Sequence, residues 1–377
     1  MIMLSQQQRI FFEFLRFCIG TVQEVPSSLK GADWRVLYAM ARKQCLVGVL
    51  FDGIKRLPAD VGMDKGLLFQ WMAQNQTLRK ANARLDKAAV EVAEWFGRKG
   101  FRTCVLKGQG NALLYPSGME RTPGDIDLWV DGGDRKVVSF VRSLSPDEKV
   151  CYHHIGFPEY NGVEVEVHFR PSFLFCFRHN RRLQEYYERV MDEQFAHRVK
   201  LGEQGEVAVP KAEFNLIFQL THIFTHLMNE GIGLRQLLDY FFLLKNTDFI
   251  GNTNGDGFLL NTDLTDRRLL QDELRRLGLW EFAGAVMYIM QEVFGMPAYR
   301  LVVPPHEKYG KFVLNEVLEA GNFGQYDKRN WFGHSALGHN LQRLYRDMRL
   351  VRYFPEEALS EPFFRIWHFF WRKRIVR

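Results

Sequence analysis

Two aspartates, Asp125 and Asp127, flank one isoleucine in the run Gly124-Asp125-Ile126-Asp127-Leu128-Trp129-Val130. Side chains on a β-strand alternate with period two, so this spacing puts both carboxylates on one face. Adjacent carboxylates repel each other unless a cation stands between them. Hard oxygen donors of this kind suit Mg2+ or Mn2+, held by one or two carboxylates together with substrate phosphates. Further along, residues 163–168 alternate strictly, with Val163, Val165 and Val167 on one side and Glu164, Glu166 and His168 on the other. Either glutamate can supply the third carboxylate that two-metal phosphoryl chemistry asks for. The same alternation also describes the wet face of an ordinary amphipathic strand.

A triphosphate needs a cradle. The turn Lys107-Gly108-Gln109-Gly110 lies between the apolar run ending at Leu106 and a short helical pattern, so backbone N–H groups and a glycine can meet a phosphate there. Lys107 and Arg121 add positive charge, although a plain strand-to-helix turn has the same appearance. His222 and His226 are four apart on a helical pattern, with Ile223 where a zinc protease would need glutamate. They can chelate a metal, line the acceptor side of a cleft, or form a buried hydrogen-bonded pair. Arg235 and Asp239 share that spacing. They predict either an intrahelical ion pair or an Arg235 that faces phosphates while Asp239 orients it. Asp131 and Asp134 read as turn residues after the strand.

Taken in order, these motifs resemble the polymerase-β-type nucleotidyltransferase superfamily: a glycine-containing strand–helix turn, a D-x-D strand and a later third carboxylate. More narrowly, the chain resembles an uncharacterised bacterial nucleotidyltransferase family. The matching residues are Leu106-Lys107-Gly108, Arg121 through Gly124-Asp125-Ile126-Asp127-Leu128, Val165-Glu166-Val167-His168, and His222 and His226 followed by Gly231, Arg235 and Asp239. The resemblance implies metal ligands and catalytic residues at Asp125, Asp127 and Glu166. It implies a nucleotide held by Lys107, Gly108, Gln109, Arg121 and Arg235. The activity it implies moves a nucleoside monophosphate from a triphosphate such as ATP to an unknown hydroxyl-type acceptor. Gly108-Gln109 departs from the superfamily's G-S or G-G pair. That departure favours the alternative of a non-catalytic nucleotide-binding or scaffolding protein on the same fold.

The elements that must position these residues fall into three stretches. Residues 1–98 read as helical, with Phe11, Phe12, Phe14, Leu15 and Cys18 at helical spacing. The longest pattern there covers 65–98, through Leu68, Met72, Leu78, Leu85, Ala89, Val92 and Phe96. Residues 99–178 change period, with strands predicted at 102–106, 126–130 and 163–169 and helical patterns between them. Residues 179–377 read as helical again. Helices are predicted at 211–229 and 234–245, and a polar loop over 251–266. The expected fold class is therefore α+β: a small mixed sheet flanked by helical N- and C-terminal regions.

The bulk numbers are permissive. Of 377 residues, 46% are hydrophobic and 25% charged, as in an ordinary globular protein. The net charge of +6 allows an anionic partner, nucleotide or nucleic acid, without requiring one. Five cysteines, an odd count with no C-x-x-C pair, argue against a disulfide framework or zinc site and predict a cytoplasmic setting. No signal peptide is legible at the N-terminus. The apolar window 214–228 is broken by Asn215, Gln219, His222 and His226, so no transmembrane segment is expected. Near the end, Phe363, Phe364, Trp367, Phe370 and Trp371 fit one helical stripe ahead of Arg372, Lys373 and Arg374. This predicts a docked helix with a favourable basic end. Contact with a membrane surface or nucleic acid is the other reading of that segment.

Overall fold

The computed structural model describes residues 4–58, 62–249, 265–332 and 335–376. The chain starts with helices α1 (Gln6–Cys18), α2 (Trp34–Lys43), α3 (Val47–Ile54) and the long α4 (Lys65–Arg98). Ser5 caps α1 through a reciprocal box with Gln8, and Phe11, Phe12, Phe14, Leu15 and Cys18 are buried as their spacing predicts. The α4 helix spans the predicted residues, but its first turns are rotated. Leu68 and Met72 are 36% and 41% exposed, while Leu67 and Trp71 are buried. The cause is Trp71. Its indole N–H donates to the Val47 carbonyl at 2.8 Å and its ring packs on Tyr38 at 5.0 Å.

Next come β1 (Thr103–Leu106), α5 (Gly108–Ala112), β2 (Ile126–Val130), α6 (Gly133–Leu144), β3 (His154–Tyr160) and β4 (Val163–His168). The strands form one mixed sheet in the order β1-β2-β4-β3. Here β2 runs parallel to β4, and the two outer strands run antiparallel to their neighbours. Val105, Ile126, Leu128, Val130, Val163, Val165 and Val167 share a core with residues of α4 and α6. Alternation therefore turns Asp127, Glu166 and His168 to the opposite face, where Cys104, Leu106 and Trp129 join the larger helical core.

Strand β3 is absent from the sequence reading. Its Gly156 and Pro158 look like breakers, yet β3 is an edge strand of the sheet beside β4, with an isolated bridge from Ile155 to Val150 on its other side and a register irregularity between Phe157 and Tyr160. An edge strand can carry proline because one row of its N–H groups has no ladder partner.

Helix α7 (Phe177–Ala196) leads into a hairpin, β5 (Arg198–Lys200) with β6 (Glu206–Ala208), in a stretch expected to be helical. The predicted pair follows as α8 (Ala212–Asn229) and α9 (Leu234–Lys245), then α10 (Arg267–Arg276), α11 (Trp280–Glu292), α12 (Glu307–Ala320), α13 (Ala336–Leu350) and α14 (Pro355–Ile375). The predicted loop over 251–266 falls almost wholly outside the described residues, and Asp266 caps α10. Residues of α1–α3 and of α7–α12 belong to one continuous core.

The aromatic stripe expected on α14 is divided. Phe364 is 2% exposed and, with Trp367 and Trp371, packs around Tyr152, whereas Phe363 and Phe370 face outward. The same face docks the first turn of the helix, where Glu357, seven residues before Phe364, accepts the backbone N–H groups of Phe175 and Cys176. Among the described residues, no helix is long and apolar enough to cross a membrane.

Candidate active site

The loop from α5 to β2 is pinned before it delivers Asp125. The Asn82 amide of α4 donates to the carbonyls of Met119 and Arg121, and the Thr122 hydroxyl donates to the Cys45 carbonyl. Gly48 of α3 lets the helix lie against this loop, since a Cβ there would fall 2.1 Å from the Glu120 carbonyl oxygen. Arg121 then inserts into the core. Its guanidinium grips Asp239 of α9 with two hydrogen bonds of 2.8 Å, and the Tyr115 hydroxyl donates to the same carboxylate at 2.7 Å. Burial alone would raise the Asp239 carboxyl, but Arg121 outweighs it and holds the group below the usual carboxylate range. Asp239 thus belongs to Arg121 rather than to Arg235. The expected intrahelical pair, and Asp239 as the group that orients Arg235, give way to a clamp between distant segments.

At the end of β1 the backbone turns sharply at Lys107, with φ 51° and ψ −127°. A residue other than glycine at positive φ is strained, and such strain clusters at functional sites. The turn aims the Lys107 ammonium into a cleft of about 400 Å³, where it lies 2.7 Å from Asp127 Oδ1 and 3.2 Å from His222 Nε2. Parallel pairing of β2 with β4 sets Asp127 directly across from Glu166. Asp125 is on the same wall, close enough that the charge on Asp127, with burial, pushes its carboxyl up to about 6. Burial also works to raise Asp127, but Lys107 and His168 outweigh it and hold it well below the usual range.

The structure therefore brings Asp125, Asp127, Glu166, Lys107, Gly108, Arg121 and Arg235 to one cleft. Glu164 is exposed outside it, so Glu166 is the glutamate that faces the aspartates. Gln109 does not reach the cleft. It is a residue of α5, 2% exposed and outside the lining, so it neither contacts the open space nor fills it. Gly108 has room, with only the Asp125 carbonyl oxygen, at 3.8 Å, near the position a Cβ would take. Arg235 carries its guanidinium 5.8 Å over the Phe323 ring and has no carboxylate partner among the described residues.

Histidines complete the wall. His222 and His226 both line the cleft, their rings 4.2 Å apart, and His226 Nδ1 lies 2.6 Å from Glu230 Oε1. His168 is buried rather than wet, with Nε2 3.0 Å from Asp127 Oδ1 and 3.4 Å from Glu166 Oε2. Burial would lower it, yet those two carboxylates push it up to about 9. His153 and His154 are part of the same wall and have no counterpart in the sequence reading. The available signal was the His-His doublet upstream of the Glu166-x-His168 strand, which becomes informative only once β3 is known to pair with β4. Burial lowers His154 to about 4 and keeps His153 and His222 well below the usual imidazole value.

A small mixed sheet that presents an aspartate pair and a facing glutamate to a basic cleft defines a nucleotidyltransferase-like site. Residues 30–295 match the family described as uncharacterised nucleotidyltransferase, and the chain belongs to that family. The family supports a nucleotidyl transfer function and implies a nucleotide substrate. Among solved structures, an antigenic nucleotidyltransferase-like protein from Paracoccidioides brasiliensis is similar over 46% of this chain and 77% of that one, at 15% identity and a TM-score of 0.29. No curated protein matches the chain.

Proposed function

We propose that the cleft transfers a nucleoside monophosphate from a nucleoside triphosphate to a hydroxyl-type acceptor, with Mg2+ or Mn2+ as the required ion. The observation that supports this most directly is the cross-strand pair Asp127–Glu166, with Asp125 two residues upstream on the same wall. The residues fit a cation by their donor chemistry, since three carboxylates, Asp125, Asp127 and Glu166, line one cleft. Asp125, Asp127 and Glu166 would hold the ion, which supplies charge neutralisation for the phosphates during an in-line displacement.

The chain's own contribution is positioning and fixed charge. Lys107 and Arg235 bring cations to the triphosphate, and Gly108 leaves the space between them open. The acceptor oxygen bonds to the α-phosphorus as the bond from that phosphorus to its bridging oxygen breaks, and pyrophosphate leaves. The acceptor proton passes to water in the open cleft. Burial would raise Glu166, but His168 and His154 outweigh it and hold the carboxyl below its usual value. That suits Glu166 to holding charge rather than to taking the proton.

One observation favours a second reading, a nucleotide-binding protein without catalysis. The Lys107 ammonium already neutralises Asp127 at 2.7 Å. The test is pyrophosphate release from each triphosphate with Mg2+ across a panel of acceptors, run on the wild-type chain and on Asp127→Asn. The transferase reading expects release by the wild type and a loss of at least ~1000-fold in the variant, about 4 kcal/mol of transition-state stabilisation. Calorimetric nucleotide binding with no release on any acceptor selects the second reading. No nucleotide binding at all defeats both.

A further inference from the structure

Five histidines line the cleft, and one ring nitrogen from each of His153, His154 and His168 lies within 4.8 Å of the others. His153 Nε2 lies 3.1 Å from His154 Nδ1. His154 Nδ1 lies 3.3 Å from Glu166 Oε2, and that oxygen lies 3.4 Å from His168 Nε2. Contacts this short between ring nitrogens suit donors gathered around one ion. Ligand bonds of about 2.0–2.1 Å place neighbouring donors ~3.3–3.4 Å apart.

Hydrogen bonding accounts for the same contacts poorly. A single proton on His154 Nδ1 can point to Glu166 or to His153, not to both. His168 is 1% exposed, and its Nε2 makes no hydrogen bond of good geometry despite two carboxylates within reach. Its other nitrogen, Nδ1, lies 3.3 Å from the Arg170 carbonyl oxygen. A proton on Nδ1 directed at that carbonyl is the second-sphere arrangement that orients a metal-bound imidazole, and an ion at Nε2 would take the place of the proton shared there with the carboxylates. The platform is rigid as well, since His154 pairs with His168 across the β3–β4 ladder.

We propose that His153, His154 and His168 form a site for a borderline divalent ion such as Zn2+ or Co2+, beside the oxygen site of Asp125, Asp127 and Glu166. Imidazole selects such ions, whereas Mg2+ prefers oxygen. The site does not depend on the transferase reading. It takes up its ion whether or not the cleft transfers a nucleotide.

The test uses the full-length chain stripped with a chelator, in the absence of nucleotide. Titration with CoCl2 is followed by the visible d–d absorption of tetrahedral Co2+, and titration with ZnCl2 by calorimetry. The expected result is one equivalent of either ion, with Mg2+ failing to displace it. His154→Gln and His153→Gln are expected to weaken uptake by at least ~100-fold, more than loss of an outer-sphere partner costs. Cys176→Ser checks the other cluster of potential ligands, Cys176 with His179 and Glu357, and is expected to leave uptake unchanged. Asp125→Asn is expected to abolish nucleotidyl transfer while retaining the Co2+ spectrum, so the two proposals fail separately. No uptake by the wild-type chain overturns the inference. So does uptake that persists unchanged in both histidine variants with their helical circular dichroism intact, because the ion would then lie elsewhere.

Discussion

Arg121 and Asp239, 118 positions apart, form a two-pronged ion pair buried between the loop that leads to Asp125 and Asp127 and the helix α9 that lines the cleft. The pair is 3% and 7% exposed at its side chains, so neither charge has water to fall back on. Removing one partner from such a pair leaves an uncompensated buried charge, at a cost of about 3–5 kcal/mol. Asp239→Asn and Arg121→Ala are each expected to lower unfolding stability by that amount in urea titrations. The double replacement Arg121→Met with Asp239→Leu should cost less than either single change. The pH dependence has a definite sign. The folded carboxyl of Asp239 sits below its unfolded value, so the stabilisation is fully present at neutral pH. It is lost as pH falls below the ordinary carboxylate range through the folded pKa. The acid limb of the stability curve should flatten in Asp239→Asn, and an unchanged acid limb would contradict this assignment.

Lys107 has a double role at Asp127. Its ammonium binds the carboxylate oxygen that a metal needs, and it is the cation nearest the phosphate space beside Gly108. Lys107→Met is therefore expected to move two measurements in opposite directions. Mg2+ affinity without nucleotide should rise, because no ammonium competes for Asp127. Nucleotidyl transfer should fall by about 10–150-fold, equivalent to one charged hydrogen bond of about 1.5–3 kcal/mol. Calorimetry and pyrophosphate release read the two effects. If both fall together, the lysine supports the metal rather than competing with it.

Arg235 holds no carboxylate among the described residues, so its loss should be felt by the ligand and not by the fold. Arg235→Ala is expected to raise the KM for the triphosphate by about 10-fold or more, as loss of a charge-assisted phosphate contact does. The urea midpoint should move little. A large loss of stability with an unchanged KM would place the side chain in packing against Phe323 alone.

Away from the cleft, Asp347 of α13 and Glu361 of α14 face each other with both residues buried. Burial, then the neighbouring Glu361 charge and hydrogen bond, raises the Asp347 carboxyl to about 8. A carboxyl raised on folding favours the native state only while it keeps its proton. Stability should thus decline as pH rises from the ordinary carboxylate value toward 8 and level off above it. Asp347→Asn is expected to raise the melting temperature at neutral pH and to have no such effect at acid pH. A variant that melts lower across the whole range would show that the charge is needed by Arg343 or Arg365.

Features governed by short-range periodicity were legible before any coordinates. Helical spacing placed α1, α8 and α9, and period-two alternation placed β2 and β4 with Asp127, Glu166 and His168 on the faces they occupy. The α+β class followed from the change of period along the chain. The rotation of α4 did not, because Trp71 chooses its side by a hydrogen bond to Val47 on another helix. Nor did the partner of Asp239, since the spacing that suggests Arg235 is local and the guanidinium that wins comes from a distant loop. Strand β3 and its histidines were invisible for a related reason. Glycine and proline read as breakers along the chain, and only an edge position beside β4 makes them tolerable. Local sequence determined which side chains share a face, because that depends on backbone geometry alone. Tertiary structure decided which charges meet, because burial and pairing are settled between segments far apart in the chain.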